Sequence, residues 1–181
     1  MEGDGKMEGN DVTRILLMDD DQDLFEYYDK FLQGKIGLDI EIDNCLKGKD
    51  LPEKLSEKNF DIVILDHRLA DGERGIDLIP MIRERSPKSR IVLNSAYGNE
   101  ELAVSALREG VDDYVGGNKE NDEMLIFSLK RIISGIDIER EANEMVSRSI
   151  VDMSRIASFC EEKMRRLEEK VGRMNQVVSI G

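Results

Sequence analysis

Asp61 to Gly75 reads DIVILDHRLADGERG, and its first half decides the fold. Ile62 to Leu65 is an unbroken run of β-branched and aliphatic residues, the pattern of a strand buried on both faces, and it stops at the carboxylate Asp66. In an open parallel α/β sheet, ligands bind in the crevice beyond the carboxyl ends of the strands, so an acid that closes a hydrophobic strand is placed for chemistry. Asp66 is therefore the first candidate for a reacting group. Asp also caps turns, which is the plainer reading of this strand taken alone.

The 181 residues suffice for one ordinary domain and an additional segment. With 40% hydrophobic residues, 5% aromatics and no tryptophan, the expected core is aliphatic. A formal charge of −13 works against a nucleic-acid surface, which needs a basic patch, and suits an acidic pocket that holds a cation. Cys45 and Cys160 have neither CxxC spacing nor a nearby histidine, so no zinc or redox pair is expected and reduced, cytoplasmic thiols are the default. No apolar run approaches the roughly 20 residues of a membrane span. The start, MEGDGKMEGND, lacks the apolar stretch of a signal peptide, and residues 1–11 read as a disordered tail.

Working outward from Asp66, strand patterns alternate with helix patterns. Arg14 to Met18 is a buried strand running into Asp19, Asp20 and Asp21, and a triplet of acids at a strand end points to a divalent cation held by oxygen ligands, with a solvated acidic loop as the alternative. Leu24, Tyr27, Tyr28, Phe31 and Leu32 recur at helical spacing with Gly34 as the expected stop. Leu38 to Asp43 alternates apolar and acidic residues like an edge strand, and Asp50 with Pro52 opens a short helix to about Lys58. After Asp66, Gly72 and Gly75 shape a loop; Ile76, Ile79, Met81 and Ile82 line a helix that Pro80 is expected to bend. Arg90 to Leu93 is a fourth strand ending in Asn94, Ser95 and Ala96, followed by a helix that stops at Gly110. Asp113 to Val115 is a short fifth strand; the loop Gly116 to Lys119 follows, and a fifth helix begins near Glu120. Such alternation means a parallel sheet with helices on both faces.

Asp19, Asp20, Asp66 and Ser95 each follow the last apolar residue of a predicted strand, so this fold gathers them at one edge. That constellation, with the strings ILLMDDDQDL, DIVILDHRLADG and VLNSAYGNEELAVSALREGVDDY, resembles the receiver domain of two-component response regulators over about Thr13 to Ser134. The resemblance implies an α/β fold, a five-stranded parallel sheet in the flavodoxin-like order 2-1-3-4-5, here followed by a long C-terminal helix. It implies that Asp66 accepts a phosphoryl group from a sensor histidine kinase or phosphotransfer protein. Mg²⁺ is then expected on Asp20, Asp66 and the backbone carbonyl of Arg68, with Asp19 acting mostly through water, because a phosphoryl dianion is otherwise repelled by the carboxylates. Ser95 is expected to bind a phosphoryl oxygen, Ala96 to leave room, and Tyr114 to be the switch aromatic that turns inward when Ser95 moves; ordinary packing is the alternative for Tyr114.

The chain departs from the receiver pattern in places. Gly117 and Asn118 stand where receivers usually carry lysine and proline, which removes a charged hydrogen bond of roughly 1.5 to 3 kcal/mol. Lys119 is a possible substitute for that lysine. Ala70 replaces a usual proline, and the loop from Asp66 to Gly75 is one residue longer than in most receivers. These changes motivate one alternative, a receiver-like interaction module that has lost phosphorylation. His67 reads as a solvated loop residue. A second alternative is a haloacid-dehalogenase-like phosphatase, with Asp19 and Asp21 as its DxD pair, Ser95, Lys119, and Asp112 with Asp113. Against it, Asp23 stands where Thr or Val is expected, the acidic pair precedes the lysine, and no cap insertion is present.

From Val146 apolar residues alternate by four and three: Val146, Ile150, Met153, Ala157, Cys160, Met164, Leu167, Val171, Met174 and Val178, the pattern of a coiled coil. Ile138, Ala142 and Met145 continue upstream one residue out of phase, so a stutter or kink is expected at the join. Residues 138–181 carry eight basic and eight acidic side chains, which argues against a DNA-binding output segment. The expected domains are therefore a tail at 1–11, a receiver at 12–137 and a helical coiled-coil segment at 138–181. The expected partner of the last is a second copy through 146–178, or a helical protein. The expected output is protein contact in the cytoplasm, with no nucleic acid and no membrane.

Overall fold

The computed structural model describes residues 12–37, 39–116 and 121–178, with side chains over 12–37, 39–116 and 122–170. The expectations for the tail at 1–11 and for Gly117, Asn118 and Lys119 lie outside the described residues, as do those for the side chains of Val171, Met174 and Val178. The chain divides into two compact units, Met1–Ser134 and Gly135–Gly181.

The first unit is built on five parallel strands, β1 (Thr13–Met18), β2 (Ile40–Cys45), β3 (Ile62–Asp66), β4 (Arg90–Ser95) and β5 (Asp113–Gly116), in the order β2-β1-β3-β4-β5. The central strands are apolar on both sides because both faces are covered; Ile62, Val63, Ile64 and Leu65 are fully buried. Side chains alternate between the faces. Leu16, Met18, Val63, Leu65, Ile91 and Leu93 join a core with Leu51 and Leu55 of α2 (Leu51–Glu57), Ile79 and Ile82 of α3 (Ile79–Arg85) and Ala106 of α4 (Glu100–Arg108). The opposite parity, Ile15, Leu17, Ile64 and Val92, is buried with Tyr28 and Leu32 of α1 (Gln22–Ile36) and with Leu125, Leu129 and Ile133 near the start of α5 (Asn121–Val178).

Three boundaries differ from the sequence expectation. α1 passes through Gly34 and stops at Gly37, which takes the left-handed conformation at φ 71°; Ile36, four residues after Leu32, extends the buried stripe by one turn. β2 runs Ile40–Cys45 rather than from Leu38, which lies outside the described residues, because pairing along β1 carries it to Met18 opposite Cys45. Pro80 does not bend a helix. Gly75–Leu78 is a separate 3-10 turn and α3 begins at Ile79, so Pro80 sits in a first turn where its missing N–H has no intrahelical partner to lose. The phase step before Val146 leaves the α5 helix unbroken from Asn121 to Val178.

Asp112 ties α3 to the entry of β5. Its carboxylate accepts from Arg83 at 2.7 Å, from the backbone N–H of Ile91 at 2.8 Å and from Arg90 at 3.2 Å, while Arg83 also donates to the carbonyl of Ser89 at 2.6 Å. Asp112→Ala leaves the backbone N–H of Ile91 unpaired and takes the carboxylate from Arg83, which keeps its bonds to the carbonyls of Ser89 and Gly110; it is expected to lower stability by about 2 kcal/mol in urea unfolding, and an unchanged midpoint would refute this.

Candidate functional site

β1, β3 and β4 end together, and the register sets what stands side by side. Met18 pairs with Leu65, so Asp19 and Asp66 are the next step along β1 and β3, and Asp66 in turn pairs with Asn94 of β4. Neighbours in one row of a parallel sheet share a face, so Asp66 is flanked by Asp19 on one side and Asn94 on the other. Ser95, one residue on, closes β4 opposite Gly116 and is buried, whereas Ala96 beyond it is exposed.

The acids after β1 divide their work. Asp21 is the N-cap of α1, accepting from the backbone N–H groups of Asp23 at 2.9 Å and Leu24 at 3.2 Å. Asp19 is buried and accepts from the N–H of Asp21 at 2.9 Å, while Asp20 is exposed. The capping role follows from an acid three residues before the first apolar residue of a helical stripe, a signal the triplet obscured. It also occupies the second acid that the DxD reading needs.

Asp66 is half-buried, and one of its oxygens accepts from the N–H of Arg68 at 2.8 Å. Burial first, then the negative charge of Asp19, pushes its carboxyl up to about 6, with backbone hydrogen bonds from Arg68 and His67 opposing. Burial also raises the Asp19 carboxyl. Acids held this close, with backbone N–H groups as their partial compensation, are a donor set that a hard divalent cation fits. Among the described residues no three His, Cys, Asp or Glu side chains form a metal group by themselves. Oxygens from the backbone or water would therefore have to complete a coordination shell.

The loop after Asp66 forms a small hairpin. Arg68 bridges to Arg74, and the tip turns at Asp71 and Gly72, at φ 59° and 78°. Arg68 lays its guanidinium 4.9 Å from the ring centroid of the exposed Tyr97. His67 is not a solvated loop residue: it is half-buried, its Nδ1 is enclosed without a partner, and burial lowers its pKa.

Tyr114 packs its ring against the core beneath α4, and its buried hydroxyl has no hydrogen-bond partner. A Cβ at Gly98 or Gly116 would collide with that hydroxyl, so two glycines make the space for the ring. The sequence expectation overlooked Asn94 and Tyr28. Asn94 is 8% exposed, and its amide nitrogen donates to the Tyr28 hydroxyl at 3.4 Å. Tyr28 in turn donates to Asp122 at 3.2 Å, and Tyr27 donates to the other oxygen of Asp122 at 2.6 Å. A polar residue closing an otherwise apolar strand was the available signal.

The sequence matches the family model of the response regulator receiver domain over residues 15–127. It is 32% identical over 102 residues to the response regulator protein PilR of Pseudomonas aeruginosa, covering 56% of this chain but only 22% of PilR. It is 27% identical over 168 residues to the acid tolerance regulatory protein ActR of Rhizobium meliloti, covering 89% of this chain and 79% of ActR. The solved signal receiver domain of a putative LuxO repressor protein from Vibrio parahaemolyticus shares the fold, with a TM-score of 0.63 at 21% identity over 72% of this chain and 97% of that one. Neither the phosphatase nor the phosphorylation-deficient alternative is favoured by these likenesses.

In metal-free protein the raised Asp66 carboxyl sets a pH dependence. A group whose folded pKa lies above its unfolded value of about 3.9 favours the fold while protonated. That stability is full below the unfolded value, is lost as pH rises to about 6, and stays lost above. Asp66→Asn removes the ionisation and is expected to stabilise the chelator-treated protein by about 2 kcal/mol at neutral pH and by little at pH 4. Calorimetry at both pH values checks this, and a gap that does not depend on pH would refute it.

Proposed function

This chain belongs to the response regulator receiver family, and from that premise we propose that it takes a phosphoryl group on Asp66 from a sensor histidine kinase or phosphotransfer protein. An Asp66 oxygen attacks phosphorus, the phosphorus–nitrogen bond of the phosphohistidine breaks, and its electron pair leaves with the imidazole. The product is an aspartyl phosphate. The supporting observation is the placement of Asp66 beside Asp19 at the open end of the sheet, half-buried and with its carboxyl raised by burial and by that neighbour.

Mg²⁺, when bound, would neutralise the charge gathered between carboxylates and phosphoryl oxygens. Asp20, Asp66 and the backbone carbonyl of Arg68 would hold it, with Asp19 acting through water. Ser95 would donate its hydroxyl to a phosphoryl oxygen, Ala96 would leave room, and Tyr114 between Gly98 and Gly116 would be the aromatic that reports the change. Lys119 is proposed as a substitute for the lysine usual at 117. The chain is no enzyme in the ordinary sense; it would assist its own phosphorylation and dephosphorylation in the cytoplasm. No helix among the described residues is long and apolar enough to cross a membrane.

The output would be a protein contact. In the second unit Val146, Ile150, Met153, Met164 and Leu167 are each more than half exposed, and a helix with such a stripe needs a partner in water. The four–three spacing through 146–178 fits a parallel two-stranded coiled coil between copies, with Lys163 facing Glu168 of the second copy across the flanking positions.

Intact-mass measurement after incubation with acetyl phosphate and Mg²⁺ should show one added phosphoryl group on the wild type and none on Asp66→Asn. A wild type that stays unmodified would remove the reading. Light scattering at micromolar concentration should give a dimer mass that falls to the monomer in Leu167→Lys; a monomeric wild type would overturn the coiled-coil assignment.

A further inference from the structure

Asn94 occupies a place that packing alone would give to an aliphatic residue. The residues before it in β4, Ile91, Val92 and Leu93, are fully buried, and Asn94 itself is more than nine-tenths buried. Its Oδ1 is enclosed with no hydrogen-bond partner. A buried amide with an unpaired oxygen is destabilising relative to valine or leucine at the same position, so packing does not account for it.

The hydrogen bonds around the amide define its orientation. The Tyr28 proton goes to the carboxylate of Asp122, so the Tyr28 oxygen can only accept, and the amide turns its nitrogen toward Tyr28 and its oxygen away. The flank of Asp66 opposite Asp19 therefore carries a neutral, reversible donor–acceptor group in the same row and on the same face. The cation-binding flank is on the other side. No lysine stands at 117, two residues beyond Val115, which pairs with Asn94.

We propose that Asn94 is a phosphoryl-binding residue: its side-chain amide donates to an oxygen of the phosphoryl group on Asp66, on the flank that the metal does not serve. This rests on Asp66 being the phosphoacceptor. Rotation of the amide about its last side-chain bond turns the Nδ2 hydrogens toward the new anion and brings Oδ1 to Tyr28. The unpaired oxygen then accepts the Tyr28 hydroxyl. Asp122 loses that donor and keeps the one from Tyr27, so occupancy of Asp66 is felt at the first turn of α5. No bond other than the phosphoryl transfer already described is made or broken; the amide, hydroxyl and carboxylate exchange hydrogen-bond partners only.

The test uses beryllofluoride, a non-covalent phosphoryl mimic, with Mg²⁺ on the full chain. Asn94→Val, closer in volume to asparagine than leucine is, is expected to melt at or above the wild-type temperature and to bind Mg²⁺ alone as the wild type does. Its beryllofluoride affinity should fall about tenfold, the loss expected for one hydrogen bond to a charged group. Independently of any variant, the side-chain amide protons of Asn94 in the wild type should shift downfield in NMR spectra when beryllofluoride and Mg²⁺ are added. Equal affinities of wild type and variant, or unmoved amide signals in the mimic-bound wild type, would overturn the assignment while leaving Asp66 as acceptor. A wild type that binds no beryllofluoride would instead remove the acceptor reading and this inference with it.

Discussion

The first unit is governed by one constraint, the holding of the Asp66 carboxylate out of bulk water next to the Asp19 carboxylate. Like charges in a partly buried place repel, and only a rigid frame keeps them there. The frame is the parallel pairing of β1, β3 and β4, whose apolar runs are buried on both faces and end in the same row. The hydrophobic effect that drives those strands together is thus what loads the electrostatic strain at their ends. A cation or a phosphoryl group bound there would meet a prearranged backbone frame, with only side-chain hydrogen bonds left to change.

The order in which the strands lie also divides the site into two flanks. Acids gather after β1, while β4 supplies an amide and a hydroxyl, Asn94 and Ser95. Because those two are adjacent in one strand, they address opposite faces of the sheet: Asn94 toward α1 and the start of α5, through Tyr28 and Asp122, and Ser95 toward the side where Tyr114 packs under α4. On the roles proposed for these two residues, one event at Asp66 would be read on both surfaces at once.

Much of this was legible in the sequence, and the physical reason is that buried parallel strands announce themselves. Four apolar residues ending in an acid left little freedom for β3; the same pattern located β1, and a shorter apolar run ending in Asn94 and Ser95 located β4. Position was harder where a residue serves two local rules. Pro80 breaks a helix interior but opens a helix, and the 3-10 turn that decides between them has no signature of its own in Gly75–Leu78. Gly34 could stop a helix, yet the buried Ile36 outweighed it. Asp21 looked like a third metal ligand and proved to be a cap, because a carboxylate serves either role and only its distances to the Asp23 and Leu24 N–H groups separate them. Asn94 passed unnoticed since a single amide at a strand end is common; its unpaired oxygen is a three-dimensional fact.

The seat of Tyr114 carries a consequence for how this sequence can drift. The hydroxyl lies where any side chain at positions 98 and 116 would have to begin, so three positions on one loop and one strand are locked into one steric unit. A larger residue at either glycine must eject the ring, and a smaller residue at 114 leaves a void that larger residues at the glycines could then fill. Substitutions at these places should therefore travel together through descent, each harmful by itself and tolerable in company.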